Sequence, residues 1–523
     1  MTPHFPLPRP IWCMGVRRLK KGNAMFYGAI MLTGANLLLR FVSMGFQVYL
    51  SRRIGAGGVG LLQLIFSVAG LSFTLGAAGV RICAMYLSAE ALGRDRPQAV
   101  GAVLSGCARY SLCFSLPVAL CLWFFAPAAA ASWLGDPAAG PSLRTYALSL
   151  PLACLYGVMT GYFTAAGRIR ALVLIEFAEQ ACAMAVTVLL LAPAGADTGR
   201  CCQAVVTGGA ASTVLSLGLL LLLYRRTAPA RDRTLAPPYG RILQTALPLA
   251  LTDDLRSGLS AAENLLIPRR LALYPGTVNA LADYGLICCM VFPVLMFPAA
   301  ILFSLSELLV PELSRCAARG SRPRVQYLAR RSLRVGFLFG LSAAGVFFSG
   351  GAALGELLYD SPAVGRYLRL FAPFVPMLYT DSIVDAMCKG LGKQRYNARY
   401  NTLTSFLDVV FLFLLLPRLG LGGYYFSFAL THLLNFCLSL RRLILETGLR
   451  PRPLRPCLAL GSTVLAAFAA GLLPAFAGIS GVILPAVLFL LVQSLLWSLF
   501  RVVSLGDLRW VCGLLRAPRA SAP

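Results

Sequence analysis

Acidic residues are scarce in this sequence: 20 Asp and Glu stand against 47 Lys and Arg, a formal net charge of +27. Charge of either sign is scarce too, at 13% of residues, while 58% are hydrophobic and the mean hydropathy is +0.74. So few charges could not cover a globular surface, which excludes a soluble protein. Histidine occurs only at His4 and His432, and none of the sixteen cysteines forms a CxxC pair, so the sequence predicts neither a metal site nor a disulfide framework. Cysteines scattered at Cys83, Cys107, Cys113 and Cys121, or paired at Cys201-Cys202 and Cys288-Cys289, read as small apolar fillers. No nucleotide-binding glycine loop or nucleophile-base constellation appears, so no catalytic residue is assigned. The alternation of a barrel strand is absent as well.

What is present is a succession of about fourteen apolar runs of roughly 20 residues, from Met25 to Phe500, with no room between them for a soluble domain. The expected fold class is an all-α polytopic membrane protein with about 14 transmembrane helices, since a helix satisfies its own backbone in lipid. With the amino terminus inside and fourteen spans, roughly 35 of the basic residues fall in cytoplasmic segments, as the positive-inside rule requires. The clusters at Arg17–Lys21, Arg225–Arg241, Arg315–Arg334 and Arg441–Arg455 then meet anionic membrane lipid. They lack interleaved aromatics for stacking, so no nucleic-acid partner is expected. A bacterial plasma membrane, crossed many times with both termini cytoplasmic, is the expected location. Met1–Gly22 is proline-rich and then basic, unlike a cleavable signal, and translation from Met14 would leave a short basic leader.

The chain divides into a basic leader (1–24), a six-helix lobe (25–224), a polar, proline-bearing cytoplasmic linker (225–238), a second six-helix lobe (239–445) and two further helices with a cytoplasmic tail (446–523). A weak internal repeat supports the division. The first span ends in Arg52-Arg53 and the seventh in Arg269-Arg270, each before a glycine-bearing return; for the first, RRIGAGGVG (Arg52–Gly60) reads as a tight return. Tyr156 and Gly167 in the fourth span recur at the same spacing as Tyr379 and Gly390 in the tenth. Two such lobes are expected to enclose a cavity at the bilayer midplane.

Ionised groups inside the spans point to that cavity. In the stretch Pro248–Arg270, Asp253, Arg256, Ser260 and Glu263 fall at i, i+3, i+7 and i+10, on one helical face. A charge at the bilayer centre costs about 3 kcal/mol or more on insertion scales, so this face must meet protein or water. An internal Asp253-to-Arg256 salt bridge that orders packing is the plainer alternative. Arg40, Met44, Gln47 and Ser51 make a second stripe in the first span, and Glu176, Glu179 and Gln180 a third in the fifth. Asp381, Asp385 and Asp408 are further candidates, with helix-helix hydrogen bonding as the equal alternative.

Several motifs carry a resemblance: GAGGVGLLQ (Gly55–Gln63), LGAAGV ending at Val80, GYF (Gly161–Phe163) followed by Glu179-Gln180, IPRRL (Ile267–Leu271), DYG (Asp283–Gly285) and SLSELLVPELS (Ser304–Ser314). From about Lys20 to Arg442 the chain resembles the stage V sporulation protein B/polysaccharide transporter family of the multidrug/oligosaccharidyl-lipid/polysaccharide exporter superfamily. The resemblance implies a flippase that moves undecaprenyl-pyrophosphate-linked saccharides, lipid II-like or polysaccharide repeat units, from the inner to the outer leaflet by alternating access. Cell-wall synthesis proteins would be its partners. Arg81 stands where proline is expected and Gln47 where relatives often carry a basic residue. Glu263 and Arg269 match the family pattern, whereas Asp253, Asp254 and Arg256 do not.

A polyprenyl-pyrophosphate-linked saccharide needs a hydrated, cationic cavity. Arg40, Arg52, Arg53, Arg256, Arg269 and Arg270 are the candidate binders, since guanidinium grips phosphate with two parallel hydrogen bonds. Arg52, Arg53, Arg269 and Arg270 have the alternative of snorkelling to the external interface. Glu176, Glu179, Asp253, Asp254 and Glu263 are the candidates for balancing these charges or for Na⁺ or proton coupling; no other cofactor is expected. The competing functions are a drug/cation antiporter of the same superfamily, a membrane glycosyl polymerase or ligase, and a non-transporting cell-wall scaffold.

Overall fold

The computed structural model describes residues 12–503, apart from 95, 196, 228–235, 450–453 and 472–477. The first part of the leader, most of the linker and the carboxyl-terminal tail therefore lie outside the described residues. All regular structure among the described residues is helical. The first half holds α1 (Trp12–Ala77), α2 (Val80–Gly93), α3 (Val100–Ala129), α4 (Gly140–Ala165), α5 (Ile169–Ala194) and α6 (Thr198–Thr227). The second half begins with α7 (Tyr239–Leu271), α8 (Ala280–Gly285), α9 (Phe292–Met296), α10 (Ala299–Ala318) and α11 (Arg322–Tyr359). It continues through α12 (Pro362–Phe371), α13 (Val375–Gly390), α14 (Gln394–Leu419) and α15 (Leu421–Thr447), and α16 (Leu454–Gly471) and α17 (Gly478–Leu499) follow.

Ten helical stretches among the described residues are long and apolar enough to cross a membrane, eleven if the bent pair Ala280–Met296 and Ala299–Ala318 counts as one span. The expected fourteen crossings are reached through three further features. The stretch Leu37–Gly93 contains a break at Gly55 and so holds two crossings. Helix α7 spans 33 residues but is too rich in charge to qualify by apolarity. The tenth span is divided into α12 and α13 by a short 3₁₀ turn at Ala372–Phe374, where Pro373 and Pro376 remove backbone donors.

The tight return expected over Arg52–Gly60 is made at a single residue. Arg52–Gly60 is helical apart from Gly55, whose φ of 73° and ψ of 174° break the helix at one residue. Glycine alone adopts that conformation without strain, so a single position does the work of a turn.

Packing joins the halves at both ends of the bundle. The largest core cluster unites Val59, Leu62, Leu122 and Leu143 of the first half with Ile267, Tyr284, Leu309 and Tyr379 of the second. Gly60 lies so close to α8 that a Cβ there would meet the Leu281 carbonyl oxygen at 2.4 Å. A separate cluster unites Val80, Leu87, Val103 and Val158 with Ile242, Ala246 and Ala250 of α7. Helix α7 thus begins in one core and ends in the other. Around the outside, Phe124, Leu148 and Leu174 are exposed, as helices facing hydrocarbon require.

Two polar ties brace each end. At the end bearing Gly55, Arg52 donates from Nε to the Leu358 carbonyl at 2.6 Å and from Nη2 to the Leu357 carbonyl, and it pairs with Asp360 at 3.6 Å. At the opposite, basic end, Arg241 pairs with Glu90, and Arg109 donates to the Tyr239 hydroxyl at 3.1 Å. Helices α16 and α17 are fastened to α11: Gly345 leaves room for the buried Phe489 ring, and Gln493 of α17 accepts from Ser342 at 3.0 Å and donates to Thr463 at 3.0 Å.

Candidate functional site

The middle of α7 is packed into neither core. Ala250 is buried in one cluster and Ala261 is buried a few turns further on, whereas Asp253, Arg256 and Ser260 between them are exposed. Asp253 and Arg256 form no ion pair with each other among the described residues, which removes the internal salt bridge as an explanation of the stripe. The expected face changes its surroundings along the helix. At ~100° per residue Glu263 lies within about 20° of Arg256, on the same side of α7, and two turns beyond it that side meets α14. Asp254 sits between, half-buried, with Oδ1 lacking a hydrogen-bond partner.

Arg40 lies in a cleft of about 330 Å³ between α1 and α10, lined also by Leu37, Leu39, Ser43, Ala300, Phe303 and Ser304. Its guanidinium sits 5.0 Å from the centre of the Phe303 ring, a contact that orients the charge without neutralising it. Gln47, two turns further along α1, instead donates to the Cys289 carbonyl at 2.9 Å and ties the halves together.

The remaining arginine candidates divide. Arg52 and Arg270 direct their donors to main-chain oxygens: Arg52 to the end of α11, and Arg270 to Phe413, at 3.1 Å from Nε and 2.9 Å from Nη2, with the guanidinium 3.6 Å from that ring's centre. Arg53 and Arg269, beside them in sequence, are exposed. In the first half, Glu176 and Glu179 are half-buried on α5, and the Tyr156 hydroxyl donates to Glu179 Oε2 at 2.8 Å.

A smaller polar site lies in the second half. Glu263 of α7, Asn401, Thr404, Ser405 and Asp408 of α14, and Thr431, His432 and Asn435 of α15 line a cavity of about 180 Å³. Asp408 is buried and accepts on Oδ1 from Ser427 at 2.5 Å and Thr431 at 3.2 Å. The His432 ring stacks on Phe428 at 4.0 Å. Thr404 and Asp408 are one turn apart on α14, Ser427 and Thr431 one turn apart on α15, so the helical period aims both pairs into the same gap. Sequence reading ranked Asp408 low because its partners are brought together only by packing; the polar pairs at i and i+4 inside apolar runs were the available signal. Among the described residues no three or more His, Cys, Asp or Glu gather as for a metal ion.

Comparison with known proteins follows the same lines. A family model described as MatE matches residues 32–189. Stage V sporulation protein B of Bacillus subtilis (strain 168) is 23% identical over 411 residues, which cover 76% of this chain and 79% of that protein. Among solved structures, the lipid II flippase MurJ in an inward closed conformation superposes with a TM-score of 0.67 at 12% identity, covering 90% of this chain and 98% of the other. An inward-facing multidrug resistance MATE family transporter of the MOP superfamily gives a TM-score of 0.62 at 14% identity, covering 79% and 96%. The chain is a multi-pass membrane protein with the fold of these transporters, and the resemblance read from its motifs is borne out.

Proposed function

We propose that this protein is a transporter of the flippase type, which moves polyprenyl-pyrophosphate-linked saccharides between leaflets by alternating access of two six-helix lobes, 25–224 and 239–445. The observation that carries this reading is the state of Arg40 and Arg256: both are exposed, on α1 and on the charged middle of α7, and neither lies within ion-pair distance of a carboxylate among the described residues. Unneutralised guanidinium inside a membrane protein is explained by an anion that visits. A diphosphate supplies that anion; Arg53 and Arg269 extend the cationic track toward the Gly55 end, while Arg52 and Arg270 brace it through the carbonyls they hold. The similarity to stage V sporulation protein B and the MurJ fold support a lipid-linked cargo.

The cavity around Glu263 and Asp408 is the proposed seat of Na⁺ or a proton, with Glu176, Glu179, Asp253 and Asp254 as the further proposed coupling carboxylates. The basic end faces the cytoplasm, where its clusters meet anionic lipid and where cell-wall synthesis proteins would deliver substrate. A reporter fused at Pro237 is expected to read cytoplasmic; an external signal there inverts the proposed direction of transport.

A second reading, a drug/cation antiporter, is favoured by the MatE match and by the carboxylates of the second half. A leaflet-accessibility assay in reconstituted vesicles separates the two. Lipid II or another polyprenyl-diphosphate saccharide is expected to move; if neither moves under any gradient while a hydrophobic cation does, the flippase reading is wrong and the antiporter replaces it.

A further inference from the structure

One turn from the Glu263–Asp408 cavity lies a group of buried acceptors that nothing above has used. Asn435, which lines the cavity, donates from Nδ2 to Asp381 Oδ2 on α13 at 3.3 Å. Asp385, one turn along α13, accepts on Oδ1 from Asn397 Nδ2 at 2.6 Å. Asn397 is in turn one helical turn from Asn401, which again lines the cavity. The four residues therefore connect with the cavity from two sides, through α15 and through α14.

Their oxygens are oversupplied. Asp381 Oδ1, Asn397 Oδ1 and Asn435 Oδ1 are all buried without a hydrogen-bond donor, and Asn397 as a whole is only 5% exposed. A buried acceptor with no partner costs about 1–3 kcal/mol, and three in one cluster call for something positive or protic among them. Exchanging O and N of an asparagine amide cannot cure the deficit, because both amide nitrogens already donate to carboxylates.

We infer that Asp381, Asp385, Asn397 and Asn435 form a second binding position for a monovalent cation, Na⁺ in the first instance, on the basic side of the Glu263–Asp408 cavity. The inference rests on the proposed reading of that cavity as the ion-coupling site and adds a route from it. The donor set is all oxygen, which suits a hard cation and offers nothing to a soft one. Charge favours a single positive unit beside Asp381: Lys389 and Arg256 both act on the neighbouring Asp385, whereas the one charged group that acts on Asp381 is Asp385 itself. Position gives the direction. Helix α13 runs from Asp381 toward Gly390 at the basic end, so a cation leaving Glu263 and Asp408 would pass Asn435 and Asp381, then Asp385 and Asn397, on its way out.

The test is equilibrium binding of radioactive Na⁺ to the purified full-length chain, on fractions that elute as a single species by size exclusion. The wild type is expected to bind two Na⁺ per chain. Asp385→Asn and Asn397→Leu should each bind one, Asp408→Asn should bind one, and Asp385→Asn combined with Asp408→Asn should bind none. Asn397→Gln keeps both the amide oxygen and the nitrogen that donates to Asp385 and should retain two, which separates loss of a ligand from a general disturbance of the fold. If the wild type binds one Na⁺ that Asp385→Asn leaves in place and Asp408→Asn removes, the second position is refuted and water fills the cluster, while the coupling site stands. If the wild type binds none, both the second position and Na⁺ at Glu263–Asp408 are refuted. The flippase reading stands or falls separately, on movement of the lipid.

Discussion

If the proposed cargo is right, Arg40→Ala and Arg256→Ala are each expected to weaken binding of lipid II by about ten- to hundred-fold and to reduce its movement across reconstituted vesicles correspondingly. The magnitude follows from removing one charge-assisted contact of about 1.5–3 kcal/mol to phosphate, with each 1.4 kcal/mol a factor of ten. The positions favour a loss of binding over a loss of folding. Arg40 touches a ring face, and Arg256 sits on the unpacked middle of α7; Asp385, the carboxylate on which Arg256 acts, keeps its hydrogen bond from Asn397 and the charge of Lys389 when Arg256 is truncated. Arg52→Ala provides the contrast, because its donors hold the Leu357 and Leu358 carbonyls at the end of α11. That variant should lower thermal stability while retaining affinity for the diphosphate. Titration of lipid II into purified variants, together with melting curves, checks both statements. Unchanged affinity in well-folded Arg40→Ala and Arg256→Ala would remove the observation on which the flippase reading stands.

Asp408→Asn and Glu263→Gln are expected to abolish the proposed stimulation of transport by an ion gradient while leaving slow, gradient-independent movement. Coupling between two sites in one protein is typically worth about 1–3 kcal/mol, so a stimulation of about 5- to 150-fold is what disappears. Asp408→Asn keeps the side-chain shape and an oxygen for Ser427 and Thr431 to donate to, but removes the charge that a cation requires. Glu263→Gln does the same from α7, the helix whose two ends lie in the two different cores. An ion bound between α7 and α14 can thus alter how α7 sits against α2, which is the physical link from ion to gate. The measurement is the leaflet assay with and without a Na⁺ or proton gradient. Equal stimulation in wild type and Asp408→Asn would place coupling elsewhere, with Glu176 and Glu179 next in line.

The local features of this protein were legible because they depend on neighbours along the chain. Apolar run length gave the membrane class and the order of crossings, and basic clusters marked one end of the bundle. The helical period correctly put Asp253, Arg256 and Ser260 on an exposed strip of α7. It could not set Glu263 apart, because that residue lies within about 20° of Arg256 on the same side of the helix and differs in lying two turns further along, where α14 covers it.

Sequence alone determined that this chain must be a helical membrane bundle holding more arginine than carboxylate, since the cost of charge and of unpaired backbone in hydrocarbon leaves no other structure. Tertiary structure decided what each charge meets. Arg52 meets the end of α11 and Arg270 meets Phe413, so they brace the bundle, whereas Arg40 and Arg256 stay open. Glu263 reaches the cavity of Asp408, and Asn435 reaches Asp381, across long stretches of sequence that only helix packing brings together. Burial and partnership belong to the surroundings of a side chain, and no periodicity within one helix encodes which other helix will lie against it.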